Sequence, residues 1–461
     1  MKPKYFLALG LLVLGLGSCG ESFFEQYPSN NITEGNFYKT DDDFNQGVVA
    51  CYAKLKTQMS FHLTEIGYRG DENVLESMAV STQNRYDIDH FAETANNGIL
   101  NDIWNAWYNG IYRCNDVLDH MTGAKIANYD KYRGECLFLR SWWYFNLYRV
   151  FGVVPITRTV VTPAAAKLIP RCTEEEMYTL LTEDLAEAAR LLPTPGPEKA
   201  RVANIAAYTL LAKVYLTFGK PAEAKTALEE AMKNTSYGLE STTKKVFDVG
   251  NKMNREIIFA LYYNKTNDNG HGYWYSANTD VLADINNPTP TFKAIYDSEK
   301  DNRLPLISSY TKIKDNLFAM TKWYDTYDAT YTTQVGNDFP HLRYADVVLM
   351  YAEALAESGG SLGDALEWLN KTRTRAGLDE LTTDEVKSLA EFRRELAAER
   401  GREFALEGPR WFDLVRLGLA VDYFREMGYS LDSHNLIFPI PQNQIEIVNN
   451  PSILWQNPGF N

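Results

Sequence analysis

Near its C-terminus the 461-residue chain reads Glu391-Phe-Arg-Arg-Glu-Leu-Ala-Ala-Glu-Arg-Gly-Arg-Glu-Phe-Ala-Leu-Glu-Gly-Pro-Arg-Trp-Phe-Asp-Leu-Val-Arg416. Apolar residues at helical spacing predict a helix, and Gly408 and Pro409 predict the turn that ends it. A second helix should then open on Arg410 and Trp411. Charged residues alternate with the apolar ones throughout both predicted helices. The apolar side chains can therefore be buried while the charged side chains form ordered pairs.

These charges have two interpretations, an anion-binding site or an ion-pair lock that joins the two helices. Residues three apart share a helix face, which makes Glu399 with Arg402 and Arg400 with Glu403 available pairs. The planar guanidinium groups of the other arginines can donate two hydrogen bonds to one carboxylate. We favour the lock, because acids and bases are balanced and no phosphate-binding glycine loop is present. The predicted structural signature comprises Glu399, Arg402, Glu407, Arg410, Trp411, Asp413 and Arg416.

The same segment resembles the signature of the SusD/RagB family, which comprises nutrient-binding lipoproteins of the outer membrane in Bacteroidetes. A second similarity lies in Phe438-Pro-Ile-Pro-Gln-Asn-Gln-Ile and in Gln456-Asn-Pro-Gly-Phe460, which resemble the family's C-terminal ending. The resemblance implies a tetratricopeptide-like scaffold without a cofactor. It also implies a SusC-like TonB-dependent transporter of the outer membrane as the partner, over which the lipoprotein acts as a lid.

Composition narrows the class of ligand. The formal net charge is -14, which argues against nucleic acid or an anionic membrane surface as the main partner, since both require basic patches. Aromatic residues make up 13% of the chain and tyrosine is the most frequent of them, which suits a recognition surface as well as a core. A neutral ligand is compatible with both observations.

The N-terminus reads as an export signal. Lys2 and Lys4 precede an apolar run that is too short to span a bilayer permanently. Small residues before Cys19 resemble a lipobox, so we predict a lipoprotein signal peptide at residues 1–18 and lipidation of Cys19. Acyl chains would anchor the protein to the outer membrane, facing the cell exterior, without spanning it. Residues 19–36 are predicted to be a lipidated tether and an extended arm.

Residues 37–461 are predicted to form one SusD-like domain that is mainly α. Two helix pairs carry small and apolar residues at tetratricopeptide spacing, namely Ala212, Tyr215, Ala224, Leu228 and Ala231, and then Ala352, Leu355, Ala365 and Leu369. Stacked pairs of this kind form an α-solenoid. The tetratricopeptide-like helices are expected at about 130–235 and 340–420. Four cysteines after the leader lack C-x-x-C spacing and predict buried small hydrophobic residues rather than a zinc site.

Two irregular, loop-rich inserts interrupt this pattern, the first at about 60–100 and the second at about 246–339. Aromatic residues stand there among Asn, Asp, Gly and Thr, a composition that can stack on sugar rings and hydrogen-bond their hydroxyls. The alternative is that these aromatics only pin their own loops to the scaffold. In the resembled family the ligand site is built from inserts in these two regions. The candidate ligand-binding residues are Asp71, Asn73, Arg85, Tyr273, Trp274, Tyr275, Trp323, Tyr324 and Tyr327.

A catalytic role finds no specific support. The six histidines lack metal-binding spacing, and neither a nucleophile elbow nor a Walker loop occurs. The sequence therefore predicts a cell-surface lipoprotein, not an enzyme, that captures an oligo- or polysaccharide and delivers it to a TonB-dependent transporter. Two alternatives remain: a peptide-binding RagB-like lipoprotein of the same architecture, and a surface glycoside hydrolase.

Overall fold

The computed structural model describes residues 37–67, 69–72, 83–194, 201–263, 276–278, 288–314, 317–323 and 336–460. The larger helices are α1 Asp41–Gly67, α2 Gln83–Asp89, α3 Gly98–Met121, α4 Tyr129–Phe151, α6 Glu174–Leu191, α7 Asn204–Thr217, α8 Pro221–Met232, α12 Tyr344–Glu357, α13 Leu362–Arg375, α14 Leu389–Phe404, α15 Arg410–Arg416, α16 Ala420–Glu426 and α17 Gln442–Val448. Single-turn helices are α5 Pro163–Ala166, α9 Thr243–Val246, α10 Pro290–Lys293 and α11 Leu304–Ser308. The strands are β1 Ile257–Leu261, β2 Ser276–Asn278, β3 Tyr310–Lys314, β4 Leu317–Met320 and β5 Phe339–Arg343.

The larger helices pack on one another in chain order, which is the arrangement of a helical solenoid. Helix α3 packs on α4, α4 on α6, α6 on α7, and α7 on α8. Helix α8 then contacts α12, which pairs with α13, so the two predicted repeats are neighbours although more than 100 residues separate them. The small residues of both repeats are buried, including Ala212, Ala224, Ala352 and Ala365. The prediction of a mainly α, tetratricopeptide-like scaffold is confirmed.

Helices α3 and α4 approach closely because a glycine faces a tryptophan. A Cβ atom placed on Gly110 would lie 2.2 Å from the ring of Trp143. Trp107 and Trp143 are both fully buried, and their ring centroids lie 6.5 Å apart. Trp104, Trp107, Ile111 and Leu118 recur at helical spacing on α3 and are buried, so this apolar stripe belongs to the core.

The second insert contains the strands. The apolar run from Glu256 to Tyr263 forms β1, which pairs antiparallel with β5 at an irregular register. Strands β2, β4 and β3 form a separate antiparallel sheet in that order. The β1–β5 pairing joins residues about 80 positions apart.

The second C-terminal helix, α15, begins at Arg410 as the sequence predicts, whereas α14 ends at Phe404, four residues before Gly408. Ser388 caps α14 and exchanges hydrogen bonds with Glu391 in a capping box. After α14, Leu406 and Gly408 adopt positive φ angles of 62° and 89°, and α15 opens on Arg410. Two consecutive turns of this kind reverse the chain within a few residues, so that α15 packs against α14.

The four cysteines in the described residues are buried free thiols: Cys51, Cys114, Cys136 and Cys172. Cys51 lies in α1, Cys114 in α3 and Cys136 in α4, three helices that pack against one another. Their prediction as buried small side chains is confirmed.

Candidate functional site

The charged residues of α14 and α15 lie inside the molecule rather than on its surface. Glu399, Arg400, Glu403, Arg410 and Asp413 are each at most 6% exposed. One predicted pair is present, since Arg402 Nη2 lies 3.1 Å from Glu399 Oε2. Asp413 joins the two helices, because it accepts from Arg400 Nε at 2.7 Å and from Arg416 Nη2 at 3.0 Å.

The other charges pair with residues far away in sequence, which sequence spacing did not predict. Arg400 does not pair with Glu403; its second partner is Asp346 of α12, at 2.9 Å. Glu407 pairs with none of the signature arginines and accepts instead from Arg343 and Lys322. A long charged side chain can reach any element that packs close to it, so its partner depends on the tertiary structure.

Arg343 is the centre of this ion-pair network. It lies at the end of β5, where the strand passes directly into α12. Its Nε donates to Glu407 Oε2 at 2.8 Å, and its Nη1 donates to Glu256 Oε1 at 2.7 Å and to Glu403 Oε1 at 2.6 Å. One guanidinium therefore connects β1, β5, α14 and the turn before α15.

Several cations share the carboxylates around Arg343. Arg375 pairs with Glu256 at 2.7 Å and also contacts Glu403, while Arg303 lies 3.1 Å from Glu403. Burial by itself raises the pKa of Glu403, but these three arginines outweigh it and hold that pKa well below its usual range. Glu403 therefore carries its negative charge at neutral pH.

Ion pairs near the start of α15 hold described residues of the two inserts. Asp71, in the first insert, accepts from Arg410 Nε at 2.8 Å and from Nη2 at 3.1 Å. Thr289 Oγ1, in the second insert, donates to the backbone oxygen of Asp71 at 2.8 Å. Lys322, also in the second insert, donates to Glu407 Oε1 at 2.7 Å. Described residues of both inserts thus attach to the short stretch from Glu407 to Arg410.

Three of the predicted ligand-binding residues are described. Asp71 is 2% exposed, and its carboxylate also accepts a hydrogen bond from Tyr423. Trp323 is 0% exposed, and its ring packs against Phe247 and Phe339. Arg85 lies half-buried in α2. In this structure Asp71 and Trp323 contact protein on all sides, so they position neighbouring segments; contact with a ligand stays a prediction.

The remaining predicted residues lie outside the described residues. They are Cys19, Asn73, Tyr273, Trp274, Tyr275, Tyr324 and Tyr327.

One groove combines aromatic and amide side chains in a place where the sequence did not indicate a site. It has a volume of about 340 Å³ and lies between α3, residues 155–169 and α17. Tyr108 and Tyr112 of α3 line it together with Asn105 and Gln444, and Gln444 Nε2 donates to Asn105 Oδ1 at 3.1 Å. The Tyr108-x-x-x-Tyr112 spacing was the available signal, but it merged with the core stripe of the same helix.

The described residues contain neither a membrane-spanning helix nor a metal cluster. No described helix is both long enough and apolar enough to cross a bilayer. Within the same part of the chain, His, Cys, Asp and Glu side chains do not assemble in groups of three or more that would hold a metal ion.

Comparisons with known proteins give matches along most of the chain. The family model described as "SusD family" matches residues 301–460, and the model described as "Starch-binding associating with outer membrane" matches residues 27–216. A SusD-like protein from Formosa agariphila is 25% identical over 510 residues, which covers 99% of this chain and 100% of the relative.

Solved structures resemble the whole fold. A SusD superfamily protein from Bacteroides vulgatus superposes with a TM-score of 0.78 at 24% identity, covering 92% of this chain and 100% of that chain. Surface glycan-binding protein A from Bacteroides thetaiotaomicron, in complex with laminarihexaose, superposes with a TM-score of 0.75 at 21% identity, covering 91% of this chain and 100% of that chain. These similarities establish the tetratricopeptide-like helical fold.

Replacing the central arginine should destabilise the protein strongly. Arg343→Met keeps much of the apolar stem but leaves Glu256, Glu403 and Glu407 with fewer cations in a buried site. Removing one partner of a buried ion pair costs about 3–5 kcal/mol, so we expect a loss of that size in the free energy of unfolding, measured by chemical denaturation. Arg190→Met, which removes an exposed pair with Glu187, is the control and should change nothing measurable. Equal effects of the two substitutions would contradict a central role for Arg343.

Glu72 should make stability depend on pH between about 5 and 8. Burial, and then the charge of Asp71, raise the pKa of Glu72 from 4.5 to about 8. Its Oε1 is buried without a hydrogen-bond partner in the described structure. Above the unfolded-state pKa, the unfolded chain loses this proton while the folded protein retains it, so stability falls as pH rises toward 8. The slope is at most about 1.4 kcal/mol per pH unit.

Glu72→Gln keeps the neutral shape and should flatten this slope. The measurement is the free energy of unfolding by denaturant at several pH values for both proteins. Unchanged pH dependence in the Gln variant would show that Glu72 is ionised in the folded protein.

Proposed function

Because the chain is a SusD-like protein, we propose that it captures an oligo- or polysaccharide at the cell surface and delivers it to a TonB-dependent transporter of the outer membrane. The observation that carries this proposal is that described residues of both inserts attach to one stretch of the chain, since Arg410 binds Asp71 and Glu407 binds Lys322.

The relatives favour a glycan as the ligand. One matching family model is described as starch-binding, and a structural neighbour was solved with laminarihexaose. Starch and laminarin are both glucans, so neutral glucose polymers are the first ligands to test. A neutral polymer also suits a chain whose formal net charge is -14.

Aromatic stacking and hydrogen bonds are the interactions that we propose for the site. Tyr273, Trp274, Tyr275, Tyr324 and Tyr327 would supply flat faces for sugar rings, and Asn73 and Arg85 would hydrogen-bond hydroxyl groups. Asp71 and Trp323 would act behind them, because the contacts of these two residues fix the borders of the inserts. Capture of this kind needs no catalytic group, and the protein would release the glycan unchanged.

The anchor and the partner follow from the leader and the family. A lipid on Cys19 would hold the protein at the outer membrane, where one family model places its members. The tetratricopeptide-like face would dock on the transporter, and the two inserts would hold the ligand beneath this lid.

Truncation of Trp274, one of the proposed ligand-binding residues, tests the glycan site. We expect Trp274→Ala to weaken glucan binding about tenfold, because a lost aromatic stack and its buried area cost on the order of 1.4 kcal/mol or more. Binding is measured by calorimetric titration of the form that starts after Cys19, against starch and laminarin fragments. Trp455→Ala is the matched control, since Trp455 is an exposed ring that packs on Arg171, away from the inserts.

The same titrations, extended to mixed-sequence peptides, distinguish glycan binding from the peptide-binding and hydrolase alternatives. Equal affinities of the two variants and the parent protein would remove Trp274 from the site. Binding of mixed-sequence peptides without glycan binding would instead favour the peptide-binding alternative. Release of reducing ends during long incubation would show glycoside hydrolysis and contradict a purely binding role.

Substitution of the predicted lipidation site tests the anchor. Cys19→Ala removes the only sulfur atom at the predicted cleavage site, so the protein should no longer incorporate labelled fatty acid or sediment with outer membranes. Undiminished labelling of the Ala variant would place the lipid elsewhere. A soluble wild-type protein without label would contradict lipid anchoring altogether.

A further inference from the structure

A cavity of about 300 Å³ lies where α4 and α7 meet α15. Three cationic side chains line it, namely Arg149, Lys213 and Arg416. Phe145 and Phe412 add aromatic walls. Such a concentration of positive charge is unexpected in a chain with 60 acidic and 46 basic residues.

The carboxylates near this cavity are already matched one to one by cations. Lys213 pairs with Asp346, and Arg416 pairs with Glu353 and, at 3.0 Å, with Asp413. The balanced set consists of three cations, Lys213, Arg400 and Arg416, and three carboxylates, Asp346, Glu353 and Asp413.

Arg149 is a fourth cation with no carboxylate of its own. Its Nη2 donates to Asn146 Oδ1, and no carboxylate in the described part of the chain lies within ion-pair distance of it. Its Nε is buried and has no hydrogen-bond partner. The guanidinium carbon lies 4.0 Å from the ring centroid of Phe412 and 4.6 Å from that of Phe145.

Burial lowers the pKa of Arg149, and Asp413 and Asp346 offset only part of that effect. Burial likewise lowers the pKa of Arg416, to about 10, although this arginine forms two ion pairs. What distinguishes Arg149 is its geometry, because its half-buried guanidinium lines the cavity without an ion pair in the described residues. The cavity therefore carries one positive charge that no described carboxylate contacts.

From this surplus we infer that the cavity is a binding site for a small oxyanion, a carboxylate or sulfate group on a ligand of about monosaccharide size. A planar guanidinium is suited to both groups, because it donates parallel hydrogen bonds to two oxygen atoms. The volume lies at the lower end of the range for small-molecule sites. The walls belong to scaffold helices, so the site is separate from the proposed glycan site in the inserts.

Asp413 also lines the cavity, but both of its oxygens are occupied. One accepts from Arg400 Nε at 2.7 Å and the other from Arg416 Nη2 at 3.0 Å. Its charge is therefore already neutralised and does not repel an incoming anion as a free carboxylate would.

Thermal unfolding of the form that starts after Cys19 tests the site, with sodium glucuronate, sodium acetate or sodium sulfate against sodium chloride at equal ionic strength. A ligand at about 100 times its Kd shifts the folding equilibrium about 100-fold, which appears as a rise in Tm. We expect that rise with at least one of the oxyanions, and a direct titration should give one site per chain. Glucose, which is neutral, should give no rise through this site.

Arg149→Met is the decisive variant, because it keeps an apolar stem against Phe412 while removing the charge. It should fold at least as stably as the parent protein without added anion, and the oxyanion-dependent rise in Tm should disappear. Arg190→Met, an exposed arginine on α6, is the matched control and should retain the rise. No oxyanion effect in the parent protein, or an equal effect in Arg149→Met, would overturn the proposal.

Discussion

The contact between Arg343 and the carboxylates of Glu256, Glu403 and Glu407 is the constraint on which the rest of the structure depends. These residues come from three distant parts of the chain, with Glu403 and Glu407 only four positions apart, and all four are buried. Buried charges tolerate few arrangements, because each loss of a partner costs several kcal/mol. Strands β1 and β5, the turn before α15 and the end of α14 therefore have to meet in one geometry.

That geometry extends outward to the segments that are expected to bind ligand. Arg410 holds Asp71, Glu407 holds Lys322, and Thr289 is tied to the backbone of Asp71. The borders of both inserts are thus as firmly placed as the core itself. A rigid base of this kind lowers the entropy that loops lose on binding, since fewer residues have to be ordered by the ligand. The division between a helical scaffold and variable inserts lets ligand preference change without a change of fold.

Charge is distributed unevenly between the surface and the interior. The chain has a formal net charge of -14, yet its interior holds many arginines whose guanidinium groups are nearly all matched by carboxylates. Arg149 is the exception near α15, and it faces a cavity rather than a partner. This surplus is informative because it lies beside six charges that pair without it.

The sequence by itself predicted the helical scaffold and showed the resemblance to the SusD/RagB family. Helical periodicity, small residues at the two repeats and the Gly408-Pro409 turn are local signals, so they can be recognised without the tertiary structure. Local signals could not predict that Arg400 pairs with Asp346, that Arg410 pairs with Asp71, or that Trp323 is buried. Long charged side chains choose among partners by distance in space, and β1 finds β5 across about 80 residues. Only the tertiary structure decided these contacts, because it alone brings residues from distant segments into one low-dielectric site where each charge needs a partner.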